Sequence, residues 1–293
     1  VIIRSFLFVP GDSEKKLGKS GDSGADALIL DLEDAVTGAR KAHARALVAD
    51  HLRGHRPGER PGQLWVRINP LDSGLALADL QAVVPGEPDG IVLPKCAGPE
   101  SVQQLSHYLE AFETAAGLAA GGIRLLPLVT ESASSALTLA RYHAAALPRV
   151  FGLTWGAEDL SADLGATGKL DDSGELSFTY KLARSQTLLA ARALGVQPIE
   201  TLYADFKDDA GLAASSRAAY REGFSGRLAI HPAQVPVLNE AFLPSASDLA
   251  LAERIVQAFA AAPDAGTVGI DGSMYDRPHL QRARQVLALI EKG

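Results

Sequence analysis

The sequence predicts an α/β chain: a (β/α)8 TIM barrel over residues 1–245, then a C-terminal helical extension over 246–293. Short apolar runs alternate with longer Ala/Leu-rich segments whose apolar residues recur at three and four, the pattern of repeated βα units. Charged residues collect where the apolar runs end.

The runs are "IIRSFLFVP" near 2–10, "DALILDLED" at 26–34, "QLWVRIN" at 63–69 and "GIVLPK" at 90–95. Then come "IRLLPLVTE" at 123–131, "RVFGLTWG" at 149–156, "PIETLYAD" at 198–205 and "GRLAIHP" at 226–232. Near-continuous apolarity is what strands buried on both faces require. Between them lie helix-like stretches such as "TGARKAHARALVADHL", "GPESVQQLSHYLEAFETAAG", "SFTYKLARSQTLLAARALG" and "DAGLAASSRAAYREG". Two more helical segments, near 248–262 and 279–292, flank the Gly-rich "PDAGTVGIDGSMYDRP".

The bulk properties narrow the function. Over 293 residues, 47% hydrophobic and 22% charged content suits a globular chain with a large core, and evenly scattered glycines and prolines mark no linker. A net charge of -7 without clustered Lys and Arg argues against a nucleic-acid partner. The single cysteine, Cys96, rules out an internal disulfide or a cysteine zinc site and suits a reducing compartment. No apolar run reaches the ~18 residues a membrane helix needs. The opening "VIIRSFLFVP" lacks the pattern of a signal peptide, so a cytoplasmic location is expected.

Barrel active sites lie at the C-terminal ends of the strands. The residues at or just past each run are Pro10 and Gly11, Glu33 and Asp34, Arg67, Lys95, Glu131, Glu158 and Asp159, Asp205, and His231. Loops are polar in any case, but "WVRIN" and "ILDLED" carry charge inside the last residues of apolar runs, where a loop explanation fails.

Glu131 and Asp159 close consecutive strands, and two convergent carboxylates with positions left over describe a Mg²⁺ site completed by water and substrate oxygens. The competing reading makes each an acid at a helix start, in "TESASSA" and "EDLSADLGA". Arg67 needs a buried anion, either a substrate carboxylate held bidentately or a salt bridge to Glu33 or Asp34. Among Asp31, Glu33 and Asp34, alternation puts the first two on one strand face, and one of the three can hold Arg67 or orient water at an ion. Lys15, Lys16 and Lys19 form a basic cluster convenient for a phosphate-bearing substrate or, equally, a solvated helix face. His231 reads as satisfying local backbone, and Cys96 as a small buried hydrophobe.

The ordered set "RSFLFVPG", "DLEDAV", "VRINP", "LPK", "PLVTES", "GAEDLSADLGA", "GRLAIHPAQ" and "DGSMYDRPH", spanning about residues 4–285, resembles the citrate lyase beta subunit family, with malyl-CoA and citramalyl-CoA lyases as near relatives. The resemblance implies a homotrimer or hexamer that uses Mg²⁺ to break a carbon-carbon bond beta to a thioester, releasing an α-keto acid such as oxaloacetate. Glu131 and Asp159 match its metal-binding carboxylates, and Arg67 matches the arginine that holds the keto acid. Asp276 in "GSMYD" matches an aspartate on a C-terminal lid that trades a proton with the enolate carbon. Glu33 and Asp34 join Arg67 and Asp276 in the expected catalytic set, while Arg4, Lys15 and Lys16 join Arg67 as expected substrate contacts. Two alternatives share these residues: a malyl-CoA thioesterase or malate-synthase-like enzyme, and a subunit active only beside citrate lyase alpha and acyl-carrier partners.

Overall fold

Eight parallel strands ring the core in the order β5-β4-β3-β2-β1-β8-β7-β6. They are β1 (Ser5–Pro10), β2 (Ala27–Asp31), β3 (Gln63–Arg67), β4 (Gly90–Leu93), β5 (Arg124–Pro127), β6 (Gly152–Thr154), β7 (Gln197–Glu200) and β8 (Gly226–Ala229). The computed structural model describes residues 2–288. Between β5 and β6 the ring closes through isolated parallel bridges, Leu125 with Val150 and Leu128 with Thr154, rather than a full ladder. The predicted barrel is therefore present, with shorter strands than the apolar runs suggested.

Alternation along each strand sorts side chains between the barrel interior and the helix layer. Phe6, Ala27, Ile29, Trp65, Val92, Leu126, Ile199 and Leu228 fill the interior. Trp65 stacks edge-on against Phe6, with ring centroids 5.8 Å apart. Gly90 makes room for it, since a Cβ there would stand 2.2 Å from the Trp65 ring. Continuing the same alternation upward, β2 brings Asp31 and β3 brings Arg67 to the top of the interior. Their backbones are registered side by side.

The helix layer includes Lys41–Gly54, Pro99–Ala115, Phe178–Leu194 and Asp209–Glu222. After β5 the expected full helix is replaced by a four-residue turn, Ala133–Ala136, and the 3-10 run Leu139–Ala144. The serines explain this. Ser132 and Ser135 cap each other and Thr138 bonds back to the Ser135 carbonyl, so side chains compete for the backbone groups that would propagate a helix.

The chain divides into two compact units, Ile2–Ala241 and a second one from Phe242 onward. The second has its own core of Ala252, Ile255, Phe259, Ile270, Leu280 and Ala283. Its helices, Ala246–Ala261 and Arg277–Ala288, flank an antiparallel hairpin of β9 (Thr267–Ile270) and β10 (Ser273–Asp276) where the sequence suggested only a Gly-rich loop. Asp271 and Gly272 both take positive φ (49° and 79°), the demand of a two-residue type I′ turn.

Candidate functional site at the C-terminal rim of the barrel

Asp31 organises the floor of the rim. Its carboxylate accepts from Arg67 Nε and Nη2, each at 2.7 Å, and from the backbone N–H groups of Glu33 and Ala35 at 2.9 and 3.0 Å. The guanidinium fork is thus committed to Asp31, a partner the sequence reading placed on the right face but did not choose. Arg67 Nη1 remains, 2.9 Å from Glu33 and 3.8 Å from Asp34, and the guanidinium lies 4.7 Å above the Phe8 ring. Burial works against its charge, but Asp31 and then Glu33 outweigh burial, and its pKa is raised.

Glu33 is buried and carries an open lone pair. Its Oε2 has no hydrogen-bond donor, because Arg67 Nη1 is close but misaligned. Its Oε1 receives Lys95 Nζ at 2.5 Å. Burial first, then repulsion from Asp34, pushes the Glu33 carboxyl upward against the pull of Arg67 and Lys95. Two residues missed in the sequence hold this loop in place. Lys41 Nζ donates to the carbonyls of Leu32 and Glu33, at 2.7 Å each, and Asn69 Nδ2 donates to Leu32 O and Asp79.

Glu131 stands four residues beyond the end of β5, on a stretch kept extended by Val129 N–H donating to Thr154 O at 3.0 Å. It is 5% exposed and accepts the Lys95 backbone N–H. Burial, with smaller contributions from Asp159 and Glu33, pushes its carboxyl up to about 8. Gly156 gives it space: a Cβ there would come within 2.8 Å of Glu131 Cγ. Asp159 sits in the first turn of helix Ala157–Asp163, more open to solvent, with Lys95 Nζ 3.6 Å from its Oδ1.

Lys95 therefore joins four of the acids, although the sequence reading gave it no role beyond a place at a strand end. Counting Asp31, Glu33, Asp34, Glu131 and Asp159 against Arg67, Lys95 and Lys41, the rim holds five carboxylates and three cations. The formal excess is two negative charges with Glu131 ionised, and one below pH about 8, where Glu131 keeps its proton. That excess and the upward-shifted Glu131 beside Asp159 fit a divalent cation and its water. Among the described residues no three or more His, Cys, Asp or Glu side chains are grouped so that together they could hold a metal ion. Glu131 and Asp159 would supply the protein ligands and leave the remaining positions to water and substrate.

Other expected residues fall elsewhere. Arg4 requires a correction: it precedes β1, at the N-terminal end of the barrel, and its guanidinium and backbone N–H are bound to Asp26 at 2.7–2.8 Å. A residue before a strand points to the end opposite the rim, so the expected substrate contact does not fit its position. Lys15 and Lys16 begin helix Glu14–Ser20, just past β1, and are exposed. His231 is exposed, stacks on Phe206 and accepts the Ala233 N–H. Cys96 is buried 3.4 Å from the Tyr142 hydroxyl, and burial pushes its thiol up to about 11, so it is inert as read. Asp276, in the C-terminal unit, ends β10 and lies 2.5 Å from His279 Nδ1. That hydrogen bond holds its carboxyl below the usual range. No helix among the described residues is long and apolar enough to cross a membrane.

Comparison with known proteins now adds to the geometry. Residues 4–232 match the family model for HpcH/HpaI aldolase/citrate lyase. The chain belongs to that family. Membership places it among carbon-carbon lyases of the aldolase and citrate lyase kind. It is 35% identical to the citrate lyase subunit beta of Haemophilus influenzae over 292 residues, covering 99% of this chain and 97% of that protein. It is also 35% identical to a (3S)-malyl-CoA thioesterase of Cereibacter sphaeroides, covering 98% of this chain and 94% of that protein. Among solved structures it resembles protein CitE from Mycobacterium tuberculosis in complex with magnesium, acetoacetate and coenzyme A. That match has a TM-score of 0.80 and 31% identity, with 98% of each chain covered.

Proposed function

We propose that this chain is a Mg²⁺-dependent lyase that cleaves a β-hydroxyacyl-CoA of the citryl or malyl type into an α-keto acid and an acyl-CoA. The observation that carries the reading is the gathering of Glu131, Glu33, Asp34 and Asp159 around the single Lys95 at the barrel rim. When bound there, Mg²⁺ would act as a Lewis acid toward the carboxylate and carbonyl oxygens of the keto acid. Related proteins support the choice of ion and ligand class, since the CitE structure of M. tuberculosis contains magnesium and coenzyme A.

The residues then divide the work. Asp31 fixes the Arg67 guanidinium so that Nη1 faces the rim and adds positive charge beside the developing enolate oxygen. Glu33, whose carboxyl burial pushes upward, is assigned the proton of the substrate hydroxyl, relayed through water as the carbon-carbon bond breaks. Asp276, assigned by the family resemblance and contributed by a neighbouring subunit of the expected trimer, would remove the carbon proton in the condensation direction and return it in cleavage, with His279 hydrogen-bonded to it. Its lowered carboxyl favours the ionised form, which is the base of the condensation direction.

A thioesterase outcome is the second reading, favoured by the C. sphaeroides relative. Incubation with malyl-CoA or citryl-CoA and Mg²⁺ separates the two. The lyase reading expects keto acid, trapped as its hydrazone, in excess of free thiol. Free thiol without keto acid would reject it in favour of hydrolysis.

A further inference from the structure

Lys95 is placed with unusual economy. Its backbone N–H serves Glu131, while its ammonium lies 2.5 Å from Glu33, 3.7 Å from Asp34 and 3.6 Å from Asp159. One residue thus touches both carboxylates assigned above to the metal, from opposite ends of itself. The backbone conformation makes this possible. Lys95 has φ 47°, a left-handed conformation that residues other than glycine seldom adopt, and its amide and its ammonium both meet the rim acids. A lysine serving only Glu33 needs no such turn, and a solvated one would not be gathered among three carboxylates.

We propose that Lys95 is the resident counter-ion of the rim: its ammonium stands in the field of Glu33, Asp34 and Asp159 while no divalent cation is bound, and cedes Asp159 to the cation that enters. The proposal rests on the metal reading above. Two cations drawn to one carboxylate oppose each other, so Lys95 lowers the affinity for the ion while protecting the empty rim from its own repulsion. The Glu33 contact is the closer one and stays. Lys95 is a charge-positioning residue that neither ligates the ion nor reacts.

The test is Mg²⁺ titration calorimetry on chelator-stripped protein, with melting temperatures taken with and without Mg²⁺. Lys95→Met is expected to bind Mg²⁺ about fivefold more tightly or better, from loss of one like charge near 4 Å. It is also expected to melt lower than wild type in chelator and to gain more from Mg²⁺. Lys95→Arg, which keeps the charge, is expected to stay near wild type. Lys181→Met, which removes an exposed cation paired with Glu175, is the control and should not move affinity. Should wild type bind Mg²⁺ and Lys95→Met bind no more tightly, the counter-ion proposal is overturned while the metal reading stands. If wild type does not bind Mg²⁺, both fall. Independently of any variant, a wild-type structure with Mg²⁺ should show the ammonium farther than 3.6 Å from Asp159 and still on Glu33. An unchanged distance overturns the proposal.

Discussion

At the N-terminal end of the barrel three acids each have an arginine of their own: Asp26 with Arg4, Asp89 with Arg60, and Glu113 with Arg149. Backbone N–H groups complete them, Arg4 on Asp26, Leu64 on Asp89, and Gly121 and Ile123 on Glu113. At the C-terminal rim the same residue types are unevenly matched. Two buried glutamates show the contrast. Both are driven upward by burial, yet Arg149 and two backbone donors bring Glu113 below its usual value, whereas Glu131, with one backbone donor, goes up to about 8. Balanced charge at one end locks strand starts together, and at the other the carboxylates outnumber the cations, the imbalance on which the metal proposal rests.

The sharpest way to break the comparison is to injure each end separately. Glu131→Gln, and likewise Asp159→Asn, should abolish Mg²⁺ binding and lower turnover by about a thousandfold, roughly 4 kcal/mol, with the fold retained. Arg149→Met should do the reverse: about 3–5 kcal/mol of stability lost with Glu113 left unpaired, and activity per folded molecule preserved. Calorimetry, turnover and chemical denaturation read the two outcomes. A Glu131→Gln chain with wild-type Mg²⁺ affinity would return Glu131 to a structural role.

Arg67→Lys comes next, because Arg67 belongs to both kinds of charge. An ammonium cannot hold both Asp31 oxygens, so stability should fall by about 2 kcal/mol. Keto acid KM should also rise, through loss of the Nη1 donor. Lowered stability with KM unchanged would show that Arg67 serves Asp31 alone.

A last contrast lies in pH dependence, where the two glutamates should have opposite signs. In chelator, native Glu131 keeps a proton between the unfolded value of 4.5 and its folded value of about 8, while the unfolded chain has released it. Its contribution to stability therefore falls as pH rises across that window. Glu113 is lowered from 4.5, so its contribution is present above 4.5 and is lost as pH falls through the folded value. Melting temperature against pH for Glu131→Gln and Glu113→Gln checks both. A Glu131→Gln profile parallel to wild type between 4.5 and 8 contradicts the shift.

Much of the rim was legible because strand ends can be read from apolar runs. Glu33, Arg67, Glu131 and Asp159 each follow or end one, and the fold brings Glu33, Arg67, Glu131 and Asp159 to one end. The same rule, applied strictly, would have excluded Arg4, which lies before its strand. Partner choice was not legible. Arg67 and Asp31 are 36 residues apart, and Lys95 and Glu33 are 62 apart, so only closure of the ring decides who meets whom. The left-handed Lys95 gives no local signal, since a lysine in "LPKC" carries no turn signature. The β9–β10 hairpin did leave one, Asp271-Gly272, masked by the surrounding glycines.

The joint between β5 and β6 is held by two isolated bridges, Leu125 with Val150 and Leu128 with Thr154, where the other neighbours share continuous ladders. Glu131 lies just above one lip of that joint and Asp159 above the other. An ion gripped by both would act as a clasp on the hoop, tying together the two staves that share no continuous ladder. Any breathing of the joint would pull the two carboxylates apart, so the chemistry and the roundness of the barrel would be lost together and recovered together.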